Sequence, residues 1–392
     1  MLEDPWQDGA VPIRFHDEDA SAAAVLEASR SRPFDGVIAV GDRPTVIAAR
    51  VAAAMGLPGH SPEAAAIARD KQRTRERLHE AGLPVPWFVP ASLEVDPAQI
   101  SSRLTFPCVV KPVALSASRG VMRADDLASL GSALARLRAL MQLPDVRAER
   151  NPAHERMLIE GFIPGREFAL EGVLHHGRLK VLALFDKPDP LDGPFFEETI
   201  YLTPSSLTSR TQGQIERAVS LAASAIGLHH GPIHAECRAN EYGVFVLEVA
   251  ARPIGGLCAR ALRFNRRGGG EAASLEELLL RHATGESIDT WSREEGASGV
   301  MMMPIPARGI YRSATGLDQA RAVDGIDDIV MTAKADQLLV PLPEGSSYLG
   351  FIFAHGDSPS RVDRALRAAH ACVRVTIEPE LRVLGSGSNA LH

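Results

Sequence analysis

Several features that would identify a common class of protein are missing from this sequence of 392 residues. No stretch approaches the roughly 20 consecutive apolar residues that a membrane-spanning helix needs. The first eight residues carry three acidic side chains and no basic cluster ahead of an apolar run, so no secretory signal is predicted. We therefore expect a soluble, globular, cytoplasmic protein that makes no contact with a membrane.

Paired cysteines and an excess of positive charge are also missing. The four cysteines are far apart and form no C-x-x-C pair, which predicts free thiols. They are Cys108, Cys237, Cys258 and Cys372. The formal net charge of −7 is not that of a nucleic-acid-binding protein. Small molecules are the expected partners, and nucleic acid is not.

The two commonest phosphate-binding patterns are absent as well, namely G-x-x-x-x-G-K-[ST] and a G-x-G-x-x-G that follows a strand. Lysine is scarce among the 42 basic residues, so each lysine is a candidate for a specific role. The lysines are Lys71, Lys111, Lys180, Lys187 and Lys334. Any bound phosphate must be held by another arrangement.

Lys111 ends a predicted strand of apolar residues, at 107–111, and residues 116–120 follow as a loop of small side chains. A buried ammonium group is costly without an anionic partner, so a phosphate held by Lys111 and covered by this loop is one interpretation. An edge-strand lysine that reaches out to water is the other.

The pattern of the chain predicts a mixed α/β and α+β protein. An apolar run at 36–40 followed by an Ala-rich helix at 45–55 indicates a βα unit, with an extended piece at 11–15 before it. Further helices are predicted at 71–81, 126–141, 211–226, 275–283 and 360–372, and hairpins at 167–185 and 231–250. We expect a short N-terminal parallel-sheet domain with a linker helix (1–90), two central units (91–170 and 171–296) and a C-terminal α+β module (297–392).

The second hairpin brings two carboxylates together. Odd positions on both of its strands, 233–237 and 245–249, are apolar, so period two puts the even positions on the other face. A three-residue turn at 241–243 then pairs Glu236 with Glu248, with His234 and Arg238 on the same face.

Directly opposed residues have Cβ atoms about 5 Å apart, and two negative charges at that distance repel by roughly 3 kcal/mol at an effective dielectric of about 20. A hard divalent cation such as Mg²⁺, shared with substrate phosphates, fits between Glu236 and Glu248. Neutralisation by Arg238 and Arg252 on a solvated face is the alternative. No cysteine or acidic residue completes a zinc pattern with His229 and His230, which we expect in a loop or a cap.

These elements, in this order, resemble the ATP-grasp superfamily. Asp70-Lys71 resembles its first lysine element and Val110-Lys111-Pro112 its second, while residues 160–167 (EGFIPGRE) resemble its adenosine element. Glu236 and Glu248 stand at its metal positions, and residues 248–252 (EVAAR) at its closing element.

The resemblance implies an ATP-grasp fold that binds ATP with one or two Mg²⁺ ions, for which Mn²⁺ can substitute. It implies nucleotide contacts from Lys71, Lys111, Ser118, Gly120, Glu160, Phe162, Ile163 and Glu167, with Glu160 and the 162–163 backbone at adenine and Glu167 at the ribose. It also implies metal binding by Glu236 and Glu248, and catalysis by Arg252 and Lys111. Many members carry Asn where Ala250 stands, so the number of metal ions is left open.

Within the superfamily, residues 186–188, 193–199, 204–207, 251–256 and 340–352 look most like the L-amino-acid ligases, which make dipeptides. This resemblance implies a carboxylate-amine ligase that works through an acyl-phosphate, and an N-terminal domain shortened at its start. The substrate pocket is expected to contain Glu198, Tyr201, His234, Gly255 and Gly256. A homodimer is compatible with this resemblance. The alternatives are an ATP-grasp ligase or carboxylase of another pathway, such as purine biosynthesis, and an inactive nucleotide-binding protein.

Overall fold

The computed structural model describes residues 9–380, and no helix in that range is long and apolar enough to cross a membrane. The N-terminal part of this range is helical: α1 (Glu18–Ser29), α2 (Thr45–Met55), α3 (Pro62–Ala68) and α4 (Lys71–Glu80). The strand predicted at 36–40 is wrong, and no described residue forms the expected parallel sheet there. A strand needs a neighbouring backbone to take its ladder hydrogen bonds, which this segment lacks, and Val40 is 79% exposed.

A small antiparallel sheet follows, with strand order β1-β4-β2-β3. In chain order the elements are β1 (Phe88–Ser92), α5 (Pro97–Ile100), β2 (Cys108–Pro112), β3 (Met122–Ala124), α6 (Leu127–Met141), α7 (Pro144–Arg147) and β4 (Arg156–Gly161). Helix α6 begins at a capping box between Asp126 and Ser129. Its buried leucines pack on this sheet, so the sheet and the helix share one core.

A larger antiparallel sheet forms the centre of the molecule. In chain order, the elements of this part of the chain are β5 (Arg166–His175), β6 (Arg178–Lys187), β7 (Ile200–Thr203), α8 (Ser209–Ile226), β8 (Gly231–Asn240), β9 (Gly243–Ala250), β10 (Arg263–Arg266), β11 (Ala273–Ser274), α9 (Leu275–Ala283) and β12 (Trp291–Arg293). Strands β10, β11 and β12 pair with one another and not with the larger sheet. The β5–β6 hairpin turns at His176 (φ 50°) and Gly177 (φ 82°), two positive φ values in succession as in a type I′ turn. Helix α8 covers one face, so the charged residues of β5 and β8 share the other.

The C-terminal part extends this sheet. It contains β13 (Ala297–Met303), β14 (Gly309–Thr315), α10 (Leu317–Arg321), β15 (Ile326–Met331), β16 (Leu338–Leu339), β17 (Gly350–Gly356), α11 (Pro359–Cys372) and β18 (Arg374–Glu378). The sheet order is β15-β17-β13-β7-β6-β5-β8-β9, while β16-β14-β18 form a separate sheet.

The helices predicted at 45–55 and 275–283 are confirmed with the same bounds, and the other four are confirmed to within two residues at each end. Both predicted hairpins are confirmed. The predicted domain boundaries at 90/91 and 170/171 fall inside β1 and β5, and β13 pairs with β7 across the boundary at 296/297. The division into four units stays a prediction.

Candidate active site

A cavity of about 520 Å³ lies between the small sheet, the large sheet and the loop that precedes α2. Of the residues predicted to form the site, all but one line it: Lys71, Lys111, Ser118, Glu160, Phe162, Ile163, Glu167, Glu198, Tyr201, His234, Glu236, Glu248, Arg252, Gly255 and Gly256. Residues more than 180 positions apart in sequence therefore meet in one place.

Gly120 is the exception, because it does not line the cavity, and its role in nucleotide binding stays a prediction. Its N–H donates to the carbonyl of Pro343 at 2.8 Å. Its φ is +76°, and an added Cβ would meet the side chains of Leu137 and Leu140 at about 3 Å. The glycine is needed for this turn and its close packing, whereas Ser118 from the same loop does line the cavity.

Glu236 and Glu248 are direct partners in the β8–β9 register, as predicted. The alternation expected for the second strand is wrong, because a β-bulge lies between Glu236 and Cys237. Val246 is therefore the residue that pairs with Cys237 in the core, and Leu247 turns toward the cavity. Bulges re-aim side chains in this way next to functional sites.

Lys71 connects this carboxylate pair to the loop predicted to cover phosphate. Its Nζ donates to the carbonyl of Leu115 at 2.7 Å and lies 3.3 Å from a carboxylate oxygen of Glu248. A positive charge therefore stands between the carboxylate pair and the loop at 113–121.

Lys111 does not reach out to water. It is buried and ion-pairs with Glu160, whose carboxylate also receives Nε of Arg75 at 3.0 Å. Burial lowers the pKa of Lys111 to about 8 although Glu160 opposes this, and the nearby charge of Arg75 adds to the lowering. Glu160, expected at adenine, is thus held between two cations of the chain. Arg75 was not predicted, and only its place one turn after Lys71 on α4 hinted at it.

Lys187 is the centre of a second charged group that sequence reasoning left without a role. Its buried Nζ lies 2.8 Å from Glu167 and 3.0 Å from Glu236, and it also donates to Glu198. Burial would lower the pKa of Lys187, but the three carboxylates raise it well above its ordinary value. Burial and repulsion from Glu236 raise the pKa of Glu198 to about 7.

Glu198 and Tyr201 were expected to lie in one pocket, and the Tyr201 hydroxyl donates to Glu198 at 2.9 Å. Because Lys187 occupies the other carboxylate oxygen, a substrate ammonium would have to displace one of these partners. The role of Glu198 as a receptor for a substrate ammonium stays a prediction.

The expected adenosine side of the cavity is aromatic and cationic. Phe162 stacks on Phe196 with ring centroids 6.4 Å apart, and the guanidinium of Arg238 lies 5.2 Å from the Phe162 ring. Arg238 also donates to Glu167 at 2.9 Å and to the Ile163 carbonyl at 2.7 Å. The Ile163 carbonyl is thereby already bonded to a side chain of the protein.

His234 lines the cavity and also contacts two carboxylates. Its Nδ1 lies 3.2 Å from the fully buried Glu171, and its Nε2 lies 3.8 Å from Glu236. Burial opposes protonation, but the hydrogen bond to Glu171 and the nearby carboxylate of Glu236 raise the pKa of His234 to about 9. Glu171 was not predicted. It also accepts the Ile254 N–H at 3.1 Å, which fixes the chain after Arg252.

Arg252 is held by a residue that sequence reasoning missed. Its Nε and Nη2 bind the two carboxylate oxygens of Asp42 at 2.8 and 3.1 Å. This fork geometry orients the guanidinium, and Asp42 raises the pKa of Arg252 further against its burial. Asp42 lies in the loop before α2, so the N-terminal part of the chain completes the site.

The two glycines after Arg252 differ. Gly256 has φ +61°, and a Cβ there would lie 3.1 Å from the Phe351 ring. Gly255 has no such backbone demand, and its nearest neighbour would be Arg252 Nη1 at 4.0 Å. Open space beside Arg252 therefore lies at Gly255, whereas the packing at Gly256 fits a backbone requirement. Both glycines line the cavity, and their place in a substrate pocket stays a prediction.

Comparisons with known proteins found three matching family models and a similar solved structure. Family models match at residues 3–59 (ATP-grasp N-terminal domain), 104–261 (ATP-grasp domain) and 301–378 (L-amino acid ligase C-terminal domain 2). The crystal structure of an L-amino acid ligase from Bacillus licheniformis superposes with a TM-score of 0.78 at 28% identity, covering 93% of this chain and 86% of that one.

Two curated relatives are ligases. Carnosine synthase 1 of Gallus gallus is 29% identical over 62% of this chain and 27% of its own length. A D-alanine–D-alanine ligase of Hydrogenovibrio crunogenus is 30% identical over 45% of this chain and 53% of its own length. The chain thus spans about a quarter of the first and half of the second. With an ATP-grasp domain at its centre and an L-amino acid ligase C-terminal domain after it, the chain belongs to the ATP-grasp superfamily of ATP-dependent ligases that form carbon–nitrogen bonds.

Proposed function

We propose that this protein joins the carboxylate of an L-amino acid to a second amino acid or amine through an acyl-phosphate, releasing ADP and phosphate. One observation carries the proposal: Arg252, the facing Glu236 and Glu248, and Lys71 line a single cavity with open space at Gly255. Likeness to the L-amino acid ligase of Bacillus licheniformis supports the choice of substrate class.

Glu236 and Glu248 are suited to hold Mg²⁺, with Mn²⁺ as a substitute. Their side chains are 23% and 27% exposed toward the cavity, and carboxylate oxygens are the donors that these hard ions prefer. When bound, the ion neutralises phosphate charge. We propose one or two ions, since Ala250 offers no side-chain oxygen.

The chain's own residues supply the rest of the catalysis. Lys71, beside the loop at 113–121, binds phosphate oxygens, and Lys111 supplies positive charge from the strand behind it. Arg252 has a planar array of donors already oriented by Asp42, so it stabilises charge on the transferred phosphoryl group with little reorganisation. The aromatic surface of Phe162 and Phe196 receives the adenine ring.

A two-part experiment tests this proposal. The purified chain is mixed with ATP, Mg²⁺ and pooled L-amino acids, phosphate release is followed, and new dipeptides are sought by mass spectrometry. We expect ATP-dependent products that contain a peptide bond. Phosphate release without any amide product, or products only with a purine precursor or bicarbonate, would overturn the substrate assignment.

Nucleotide binding is tested separately by titrating ATP into Lys111→Ala and Lys180→Ala. Lys180 is a matched control, because its ammonium donates to the carbonyl of Asp289, away from the cavity. We expect weaker binding only in Lys111→Ala, and equal affinities would remove Lys111 from the nucleotide site.

A further inference from the structure

Four histidines from three separate segments of the chain meet beside the end of β5, and none of them lines the cavity that contains Arg252 and the carboxylate pair. His175 ends β5, His176 is in the turn after it, His230 precedes β8 and His282 lies in the last turn of α9. We refer to these four as the histidine cluster. The ring centroids of His230 lie 4.3 Å from His282, 5.0 Å from His176 and 5.2 Å from His175.

His230 is the unusual member. It is only 4% exposed, and neither of its ring nitrogens has a hydrogen-bond partner among the described residues. A buried imidazole without partners loses its bonds to water and gains none in return, which is unfavourable unless something else binds it. A ligand bound to one of these nitrogens would offset part of that cost.

The cluster offers nitrogen lone pairs. One nitrogen from each of His175, His176 and His230 lies within 4.8 Å of the others. Neutral imidazole nitrogens are common ligands of transition-metal ions. Arg178, which pairs with His175 across the hairpin, forms an ion pair with Asp289 at 3.3 Å.

We propose that His175, His176 and His230 bind a first-row transition-metal ion of the Zn²⁺ class, at a site separate from the Mg²⁺ positions. Neutral imidazoles suit Zn²⁺, whereas Mg²⁺ prefers oxygen. A tetrahedral ion with Zn–N bonds of about 2.0–2.1 Å needs its ligand nitrogens closer together than they are now. His175 and His176 are exposed at the surface, while the buried His230 provides the anchor of the site.

His282 orients a ligand without binding the metal. Its Nε2 lies 3.3 Å from Nδ1 of His175, and this hydrogen bond directs the other nitrogen of His175 toward the ion when His175 is the donor. Metal-binding histidines are commonly held by a second hydrogen bond of this kind. The ion would therefore fasten the β5–β6 turn to the start of β8 and the end of α9.

The experiment uses the full chain without a polyhistidine tag, in excess Mg²⁺ so that the carboxylates of the active site are occupied. Zn²⁺ is titrated by calorimetry and by competition with a chromogenic chelator, and melting temperatures are recorded with and without Zn²⁺. We expect one Zn²⁺ per chain and a higher melting temperature with the ion bound.

His175→Gln/His176→Gln replaces two exposed ligands, so it should stay folded and lose the site. His282→Gln should weaken binding by about 10–100-fold. His355→Gln is the matched control, because His355 is exposed and paired with Asp327 at another part of the surface. Binding to the double variant with the affinity of the wild type, or no Zn²⁺ binding by the wild type in excess Mg²⁺, would overturn the proposal.

Discussion

Lys187→Met tests the charged group around Lys187 directly. The substitution removes an ammonium that contacts Glu167, Glu198 and Glu236 and keeps a side chain of similar length. The carboxylate oxygens lie within 4.8 Å of one another, so each pair of negative charges would repel by about 3.5 kcal/mol at an effective dielectric of 20.

Glu198 limits this cost, because its pKa is already raised to about 7 and it takes up a proton when the lysine is gone. Breaking a buried ion pair by removing one partner still costs about 3–5 kcal/mol. At roughly 2 °C per kcal/mol for a large domain, we expect the melting temperature to fall by about 6–10 °C.

The same three carboxylates then become a vacant site for a divalent cation. Mn²⁺ at 100 times its dissociation constant would restore about 2.7 kcal/mol to Lys187→Met, which is more than half of the expected loss of about 3–5 kcal/mol. Differential scanning calorimetry with and without Mn²⁺ measures both effects. Lys180→Met is the matched control, since Lys180 bonds only to a backbone carbonyl at the surface. If Lys187→Met melts like Lys180→Met, or gains no more from Mn²⁺ than the control does, then Lys187 does not neutralise this group.

Four further variants test other parts of the site. Glu248→Gln should keep its melting temperature, because Glu248 is partly exposed, and lose ligation even at saturating Mg²⁺; turnover like that of the wild type would remove the metal assignment. Gly256→Ala should lower stability by about 1–2 kcal/mol, because its φ is +61° and Phe351 is close. Gly255→Ala should instead stay stable and lose activity toward large amino acids first, and equal melting curves for the two would refute this contrast. The pKa of His234 is raised from 6.5 to about 9, so protonated His234 contributes on the order of 3 kcal/mol to the free energy of unfolding. This contribution is full below pH 6.5 and is lost as the pH rises through about 9. If the stability of His234→Gln falls as steeply as that of the wild type between about pH 7 and 9.5, the pairing contributes nothing.

The sequence predicted best those parts of the site that depend on local periodicity. The pairing of Glu236 with Glu248 followed from period two and a short turn, because both are properties of adjacent residues. The bulge beside them could not be predicted, since Val246 and Leu247 are both apolar and either satisfies the core.

Contacts between residues far apart in the sequence could not be predicted either. Asp42 lies 210 positions from Arg252, and Arg75 lies 85 positions from Glu160, so no spacing rule connects them. The histidine cluster shows the same limit, because its members come from a turn, a strand start and a helix end. The absence of a zinc-binding pattern in the sequence therefore does not exclude a metal site formed by residues that are distant in the sequence.

The bond from Gly120 to Pro343 has a consequence for the timing of catalysis. Glu344, the next residue, accepts Nε of Arg119 at 2.8 Å through its carbonyl and binds Arg136 with both carboxylate oxygens at 2.8 and 2.9 Å. The C-terminal part of the chain is therefore fastened across the loop at 113–121. If a nucleotide enters only when this loop moves away, the bonds of Gly120, Arg119 and Arg136 must break first. The Arg136–Glu344 ion pair is exposed to solvent, so salt weakens it, whereas the backbone hydrogen bond from Gly120 to Pro343 is shielded from salt. Raising the ionic strength therefore speeds the opening of the loop only in part.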